Sequence, residues 1–369
     1  MSLPVIEFCP GTLAPGYDTY SRNCLRRVFN GKRVSHILSY GSPATNQDTD
    51  QLFDENRKRI SISGVQEKFS VTLDKNKLRL IQEDEQGTYI LKPIPTAGCK
   101  PDQMPANEHL TMQIARQVYG IETAENALIF FADGAQAHIT KRFDRHADGR
   151  KRAQDDFASL AGRTPQTHGE HYKYLGNYLE IFELMQKYVP AYTVEAPKLL
   201  RTLMFNYLFS NGDAHLKNFS LLETDQGDYR LSQAYDLLNR RIHIGDKDFA
   251  LDDGILPKKL AQGKVMQQFT LLAQIAGINS KVFDGIVSRM LSGSQQVEQL
   301  ISASFLDQTT KRNYLQMIAD YIVLHTKVNG STFCGIDIND PDDMQKLHCT
   351  MQQMIDLAYE NAAASKKST

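Results

Sequence analysis

Phe143 divides the chain into two stretches of different hydrophobic period, and that change restricts the fold to a mixture of α and β structure. Before it, apolar residues alternate. Ile60 and Ile62 alternate, Gly64 breaks the run, and Phe69, Val71 and Leu73 alternate again. Leu78 to Ile81 and Tyr89 to Pro93 read as strands around a turn at Glu83 to Gly87, and Ala127 to Phe131 pairs with Ala137 to Thr140 across Asp133-Gly134. One helix interrupts them, Asn107 to Tyr119, with Leu110, Ile114 and Val118 on one side, Asn107 as N-cap and Gly120 as stop. After Phe143 the spacing becomes helical at 155–160, 174–188 and 197–210, the last with Pro197 at its start. A hairpin, Phe219 to Leu222 with Tyr229 to Leu231, comes next, and then helices at 269–276, 282–291, 297–306, 314–328 and 344–362. Residues 1–56 carry Pro4, Pro10, Pro15 and Pro43 and a polar run from Thr45, and read as an irregular lead-in packed on the strand-rich stretch. The expectation is an α+β chain of two lobes: lead-in 1–56, a β-rich N-lobe 57–143 and a helical C-lobe 144–369. A length of 369 residues exceeds one ordinary core and suits two.

Composition narrows the function. A net charge of -1 argues against free-standing, charge-driven binding to nucleic acid. No apolar run approaches the roughly 18 residues of a membrane span, and the N-terminus lacks the basic start and apolar core of a signal peptide. The five cysteines show no C-x-x-C spacing, so neither a zinc site nor a disulfide framework is indicated, and a cytoplasmic chain with reduced thiols is expected.

Against that background one run concentrates chemistry. Asp213-Ala214-His215-Leu216-Lys217-Asn218 succeeds an apolar helix, and Asp236 comes back across the predicted hairpin, beside Asn218. Transfer of a phosphoryl group from ATP needs such a set: an Asp that orients the acceptor hydroxyl, and an Asn and an Asp that hold Mg²⁺. Two oxygen ligands suffice, because Mg²⁺ keeps waters and phosphate oxygens. Asn-Gly and Asp are also ordinary turn residues, so the run alone is open to a structural reading. Lys217 is placed to neutralise the transferred group, and His215 to brace the loop or touch nucleotide, a buried structural histidine being the other option.

Other stretches fit the same chemistry. Lys92 stands on the hydrophobic strand Tyr89-Ile90-Leu91-Lys92, either guarding a sheet edge or gripping α- and β-phosphates while paired with Glu108 from the lone helix. Ser63-Gly64-Val65-Gln66-Glu67-Lys68 sits where a nucleotide-covering loop belongs, although one glycine fails a G-x-G-x-x-G pattern and an ordinary hairpin is the default. Lys141-Arg142-Phe143, at the junction of the two periods, would form an adenine-binding hinge with Phe143 as the apolar contact, the alternative being a core phenylalanine. Tyr235 adjoins the metal ligand Asp236.

Taken together these residues resemble the HipA-like serine/threonine kinase toxins. The matching runs are Ile60 to Lys68, Ile90-Leu91-Lys92, Asn107-Glu108, Lys141 to Arg145, Asp213 to Ser220 and Tyr235-Asp236, in the family's order, covering roughly residues 57 to 240. The resemblance implies a two-lobed protein-kinase-like fold, Asp213 as catalytic base, Asn218 and Asp236 as Mg²⁺ ligands and Lys92 as phosphate lysine. It places ATP against Ser63 to Lys68, Glu108, Lys141 to Phe143, His215 to Asn218 and Tyr235. The family autophosphorylates its phosphate loop on serine. Ser61 matches that position, and Ser63 completes a Ser-Ile-Ser arrangement like that of the shorter HipT-type members. Only about 60 residues precede Ser61, too few for the N-terminal subdomain of long members, so a HipT type whose missing piece is a separate small protein is expected. Lys141 replaces the usual hinge Glu, which implies altered nucleotide affinity. Known members pair with a small helix-turn-helix antitoxin that carries the DNA contact, and their protein substrates include aminoacyl-tRNA synthetases. A small-molecule or lipid kinase of related plan and a catalytically silent scaffold are the rival readings.

Overall fold

A computed structural model describes residues 5–43, 53, 67–146, 150–245 and 247–326, with side chains to residue 318. The chain divides into two compact units, residues 1–306 and 307–369.

The first unit is built on a five-stranded antiparallel sheet: β1 (Phe69–Asp74), β2 (Lys77–Leu80), β3 (Tyr89–Pro93), β4 (Asn126–Phe130) and β5 (Gln136–Lys141). Their spatial order is β2-β1-β3-β5-β4. The register sets Leu91 opposite Ile139 and Lys92 opposite His138. Strand alternation therefore sends Leu91 and Ile139 to one face and Lys92 and His138 to the other.

The first face is covered by the N-terminal segment. Cys9, Tyr20, Cys24, Val28, Phe29, Val34 and Leu38 join Phe69, Val71, Leu91, Ala127 and Ile139 in one buried cluster. The segment also ties to β4 through backbone, Leu128 N–H to the Pro10 carbonyl at 2.8 Å and Phe130 N–H to the His36 carbonyl at 2.8 Å. It is not wholly irregular: α1 (Arg22–Val28) forms behind Ser21, whose hydroxyl accepts the Cys24 N–H. Only Cys24 and Val28 of this helix are buried, so two turns left too few apolar positions for the period to show.

The second face carries α2 (Met104–Gln117). It begins three residues before the expected Asn107, which is no cap. Asn107 instead donates from Nδ2 to the Asn239 carbonyl at 2.8 Å and accepts the Asn239 N–H at 3.2 Å on Oδ1. Every residue from Pro105 to Ala115 is buried, because the helix has sheet on one side and the segment around Asn239 against its first turns.

Beyond Lys141, a three-stranded antiparallel sheet forms in the order β6-β7-β8: β6 (Gln154–Asp156), β7 (Ser220–Glu223) and β8 (Tyr229–Leu231). The helix expected over 155–160 is shortened to Phe157–Leu160, because Gln154 to Asp156 pair with Leu222 to Ser220. The helix expected over 174–188 splits into a turn at Tyr172–Tyr174 and α3 (Leu179–Tyr188). Gly176, at φ +88°, separates the two, and a Cβ there would meet Glu180. The helix α4 (Tyr192–Leu208) starts five residues ahead of Pro197, so the proline lies in its second turn and leaves one carbonyl without an intrahelical donor. Then come α5 (Val265–Ile275), α6 (Ser280–Leu291) and α7 (Ser294–Ala303). The second unit holds α8 (Gln308–Thr326); the helix expected over 344–362 lies outside the described residues. No helix among the described residues is long and apolar enough to cross a membrane.

Candidate functional site

Lys92 lies at the centre of the charged cluster. Its strand β3 is the middle strand of five, and the residue is only 4% exposed, so it does not guard an edge. A buried ammonium requires compensating charge. Lys92 Nζ donates to Glu108 Oε1 at 2.6 Å and also to Asp236 Oδ1. Glu108 comes from the second turn of α2, where the fold has already pinned Asn107. His138, across from Lys92 on β5 and fully buried, puts Nδ1 3.3 Å from the same Glu108 oxygen.

Asp236 arrives from the other side. The segment before it pairs with the entry to β4, Ala124 N–H to the Ala234 carbonyl and Ala234 N–H to the Glu122 carbonyl. At Asp236 the backbone turns left-handed, φ +57°, a conformation that costs a non-glycine residue free energy and is held only by its surroundings. Asn211 Nδ2 donates to its carbonyl at 3.3 Å. Its carboxylate takes Lys92 on Oδ1, and Lys68 Nζ at 3.4 Å and Asn218 Nδ2 at 3.3 Å on Oδ2. Burial alone would raise the Asp236 carboxyl, but Lys68 and Lys92 overcome it and hold the group well below the usual carboxylate range. Glu108 is likewise held low against its burial, by His138 and Lys92. Burial would depress Lys92, but Asp236 and Glu108 keep its ammonium above the ordinary lysine value.

Asp213 sits at the end of α4, after a left-handed turn at Ser210, φ +54°. Its Oδ1 accepts the Tyr174 hydroxyl at 2.9 Å and faces Arg240 Nη1 at 2.6 Å, and about a third of the side chain is exposed. His215 N–H donates to Asn218 Oδ1 at 3.1 Å, so it is the His215 backbone that orients the carboxamide. The imidazole packs edge-on against Tyr174 at 5.2 Å, and burial lowers its pKa to about 4. Leu216 is buried in the core.

Several expected contacts fall differently. The Lys217 ammonium is taken up by Asp156 Oδ2 at 2.7 Å, and its carbonyl accepts the Tyr235 hydroxyl at 2.9 Å. Phe143 packs on Tyr235, ring centroids 5.7 Å apart. Arg142 forks onto Asp144 at 2.9 and 2.5 Å. Lys141 pairs with Tyr89 in the register, on the sheet face opposite Lys92, and its ammonium donates to Asn30 Oδ1 at 2.5 Å. Its backbone N–H donates to the Glu125 carbonyl at 2.7 Å. Glu67 and Lys68 are described; Ser61, Ser63, Gly64, Val65 and Gln66 lie outside the described residues. Tyr174, Arg240, His138 and Asp156 were not singled out from the sequence. Each is joined to its partner across 27 or more residues of chain, and nothing local marks them.

The donor set suits a hard cation. Asn218 and Asp236 both bear oxygen and lie side by side; here the carboxamide turns Nδ2 to Asp236 and Oδ1 to the His215 N–H, so holding a cation would require the carboxamide to turn its oxygen toward Asp236, which is held ionised. Among the described residues no group of three or more His, Cys, Asp and Glu is placed to hold a metal ion.

The model of the HipA-like C-terminal domain matches residues 60–298. The "Putative kinase Y4dM" of Sinorhizobium fredii (strain NBRC 101917 / NGR234) is 33% identical over 220 residues, 56% of this chain and 51% of that protein. A "Putative kinase" of Haemophilus influenzae (strain ATCC 51907 / DSM 11121 / KW20 / Rd) is 24% identical over 335 residues, 82% of this chain and 93% of that one. This chain thus spans about half the length of the first relative and nearly all of the second. Among solved structures, the Shewanella oneidensis MR-1 toxin–antitoxin complex of HipA, HipB and operator DNA is similar in fold, with a TM-score of 0.56 at 20% identity over 74% of this chain and 67% of that one. The match over residues 60–298 covers well over half of the sequence, and the chain belongs to the HipA-like C-terminal domain family.

Proposed function

We propose that the protein is an ATP-dependent serine/threonine-protein kinase of the two-lobed kind, with an N-lobe over 57–143 and a C-lobe over 144–369. The observation that carries this reading is the convergence on Asp236: its carboxylate receives Lys92 from the central strand, Lys68 from the lead into β1 and Asn218 from the loop of Asp213. That is the arrangement phosphoryl transfer requires, a phosphate lysine, two metal ligands and an acceptor-orienting carboxylate on neighbouring loops.

In this mechanism Asp213 orients a serine hydroxyl and takes its proton. The serine oxygen bonds to the γ-phosphorus as the bond to the bridging oxygen breaks, and that electron pair leaves with ADP. Lys92, held by Glu108, binds phosphate oxygens. Asn218 and Asp236 would hold Mg²⁺, which when bound supplies charge neutralisation for the phosphates. Phe143 and Tyr235 offer an apolar wall for adenine. Kinase activity is supported by family membership and by relatives named as putative kinases, and a protein acceptor is the reading we add to it.

The wider role rests on analogy with the toxin–antitoxin complex of the solved relative. We infer a cytoplasmic growth-inhibiting toxin of HipT type, linked to persistence, that is restrained by a small helix-turn-helix antitoxin and assisted by a separate small N-subdomain-like protein. DNA contact would run through the antitoxin, and an aminoacyl-tRNA synthetase is the proposed protein substrate. Self-regulation would act through Ser61 and Ser63: a phosphoserine carries about -1.5 to -2 charge at neutral pH and would repel ATP phosphates from the loop. Intact mass after incubation with MgATP should rise by one phosphate or more, and a Ser61→Ala, Ser63→Ala protein should not gain it. An unchanged gain in the double variant would rule out the loop as the modified segment. Radiolabelled ATP with cell lysate, followed by identification of the labelled band, tests the protein-kinase reading itself; label appearing only in lipid or small molecules would overturn it.

A further inference from the structure

The proposed base, Asp213, is held by two side chains that take no part in the transfer step itself. Tyr174 and Arg240 both bind the same carboxylate oxygen, Oδ1, at 2.9 and 2.6 Å. We infer that Tyr174 and Arg240 are positioning residues that turn Asp213 so that Oδ2 faces the acceptor hydroxyl, and that Arg240 ties this orientation to the phosphate side of the site. The inference rests on the kinase reading and deepens it.

The anchoring of each donor supports the assignment. Tyr174 lies in a single turn whose ring packs edge-on against His215 at 5.2 Å, two residues from Asp213. Its hydroxyl is pushed up to about 12 by burial and by Asp213, so it stays a donor. Arg240 is fixed twice. Its backbone N–H donates to the Ser210 carbonyl at 3.0 Å, at the left-handed turn that launches the Asp213 loop, and its guanidinium reaches Asp213 itself. Its neighbour Asn239 is gripped through backbone N–H and carbonyl by Asn107, beside Glu108 on α2. A continuous chain of contacts therefore runs from Lys92 through Glu108, Asn107, Asn239 and Arg240 to Asp213.

Physical chemistry gives this arrangement a purpose. A carboxylate can rotate and offer either oxygen, and a misplacement of about 1 Å in an attacking geometry is enough to slow reaction by about a hundredfold. Two donors on one oxygen select a single rotamer. Because Arg240 is about a quarter exposed, its worth lies in hydrogen-bond direction more than in charge, which solvent screens.

The test is steady-state phosphoryl transfer from γ-labelled MgATP to dephosphorylated casein, with ADP release measured in parallel so that transfer to water is also counted. Arg240→Gln should lower kcat about tenfold or more with the KM for ATP within about twofold. Arg240→Lys should recover part of the loss, since one oxygen is the target. Tyr174→Phe should cost about three- to tenfold in kcat. A merely structural role would lower the melting temperature and raise the KM for ATP together, with no recovery in Arg240→Lys, and that pattern overturns the inference. Wild-type kcat in Tyr174→Phe and Arg240→Gln, with activity lost in Asp213→Asn, also overturns it while leaving the kinase reading intact. A wild-type protein without turnover by either readout removes both.

Discussion

Asp213→Asn will bind MgATP with nearly wild-type affinity and transfer phosphate at least about a thousandfold more slowly. The geometry separates the two properties. The carboxylate touches none of Lys92, Lys68 or Asp236; its partners are Tyr174 and Arg240. An asparagine keeps an oxygen for those two donors, so the loop retains its shape. What is lost is the anionic oxygen able to take a proton from the acceptor hydroxyl. Calorimetry with MgATP and label transfer by the same preparation check the prediction. Normal transfer by the asparagine protein would mean that the base lies elsewhere, and lost binding would mean that Asp213 belongs to the nucleotide side.

The second large effect is expected at Lys92. Lys92→Met should lower stability by about 3–5 kcal/mol, because removing one member of a buried charged group strands the others, and it should weaken MgATP binding at least about tenfold. Glu108 is 3% exposed, and without Lys92 its remaining charged partner among the described residues is His138 at 3.3 Å. Asp236 keeps Lys68 at 3.4 Å and Asn218. The double variant Lys92→Met, Glu108→Gln should therefore be more stable than Lys92→Met alone, although it lacks two charges instead of one. A solvated edge lysine would instead change stability by less than about 0.5 kcal/mol, a result that urea unfolding would distinguish at once. The acid limb carries the same information. Glu108 and Asp236 are held below their ordinary pKa in the folded state. Their contribution is thus complete above the ordinary carboxylate range, about pH 4, and is lost as pH falls further. In Lys92→Met the depression shrinks, so less stability should be lost between neutral and acid pH than in the wild type.

Why some of this could be read from the chain and some could not has a physical basis. The alternation around Leu91 and Lys92 reports a strand, and a charged residue on an otherwise apolar strand is a strong irregularity, so Lys92 stood out. The hairpin turn at Asp225 to Asp228 returns the chain beside Asn218, and the left-handed turn at Asp236 then sets its carboxylate 3.3 Å from the Asn218 carboxamide. Arg240 and Tyr174 carried no such sign, because they reach Asp213 through a left-handed turn and a single helical turn that leave no period. The same limit explains α1, which buries only Cys24 and Val28, and β6, whose polar Gln154-Asp155-Asp156 becomes a strand only because Leu222 to Ser220 lies beside it. Pro197 misled as a helix start because a proline is tolerated at the first turn, and the cost of one missing bond inside α4 is offset by its buried face. Side-chain direction was the other blind spot. Lys141 lies on the wrong face for a cleft contact by the parity of the β3–β5 register, and that parity depends on pairing that the sequence does not specify.

The central claim is that Asn218 and Asp236 hold the divalent ion of a bound nucleotide next to Lys92. Anomalous scattering from crystals grown with Mn²⁺ and a non-hydrolysable ATP analogue addresses it without an assay. The account predicts a manganese peak within coordination distance of the Asn218 carboxamide oxygen and the Asp236 carboxylate, with analogue phosphates at the Lys92 ammonium. A peak at other side chains, or nucleotide bound away from β3, would contradict it.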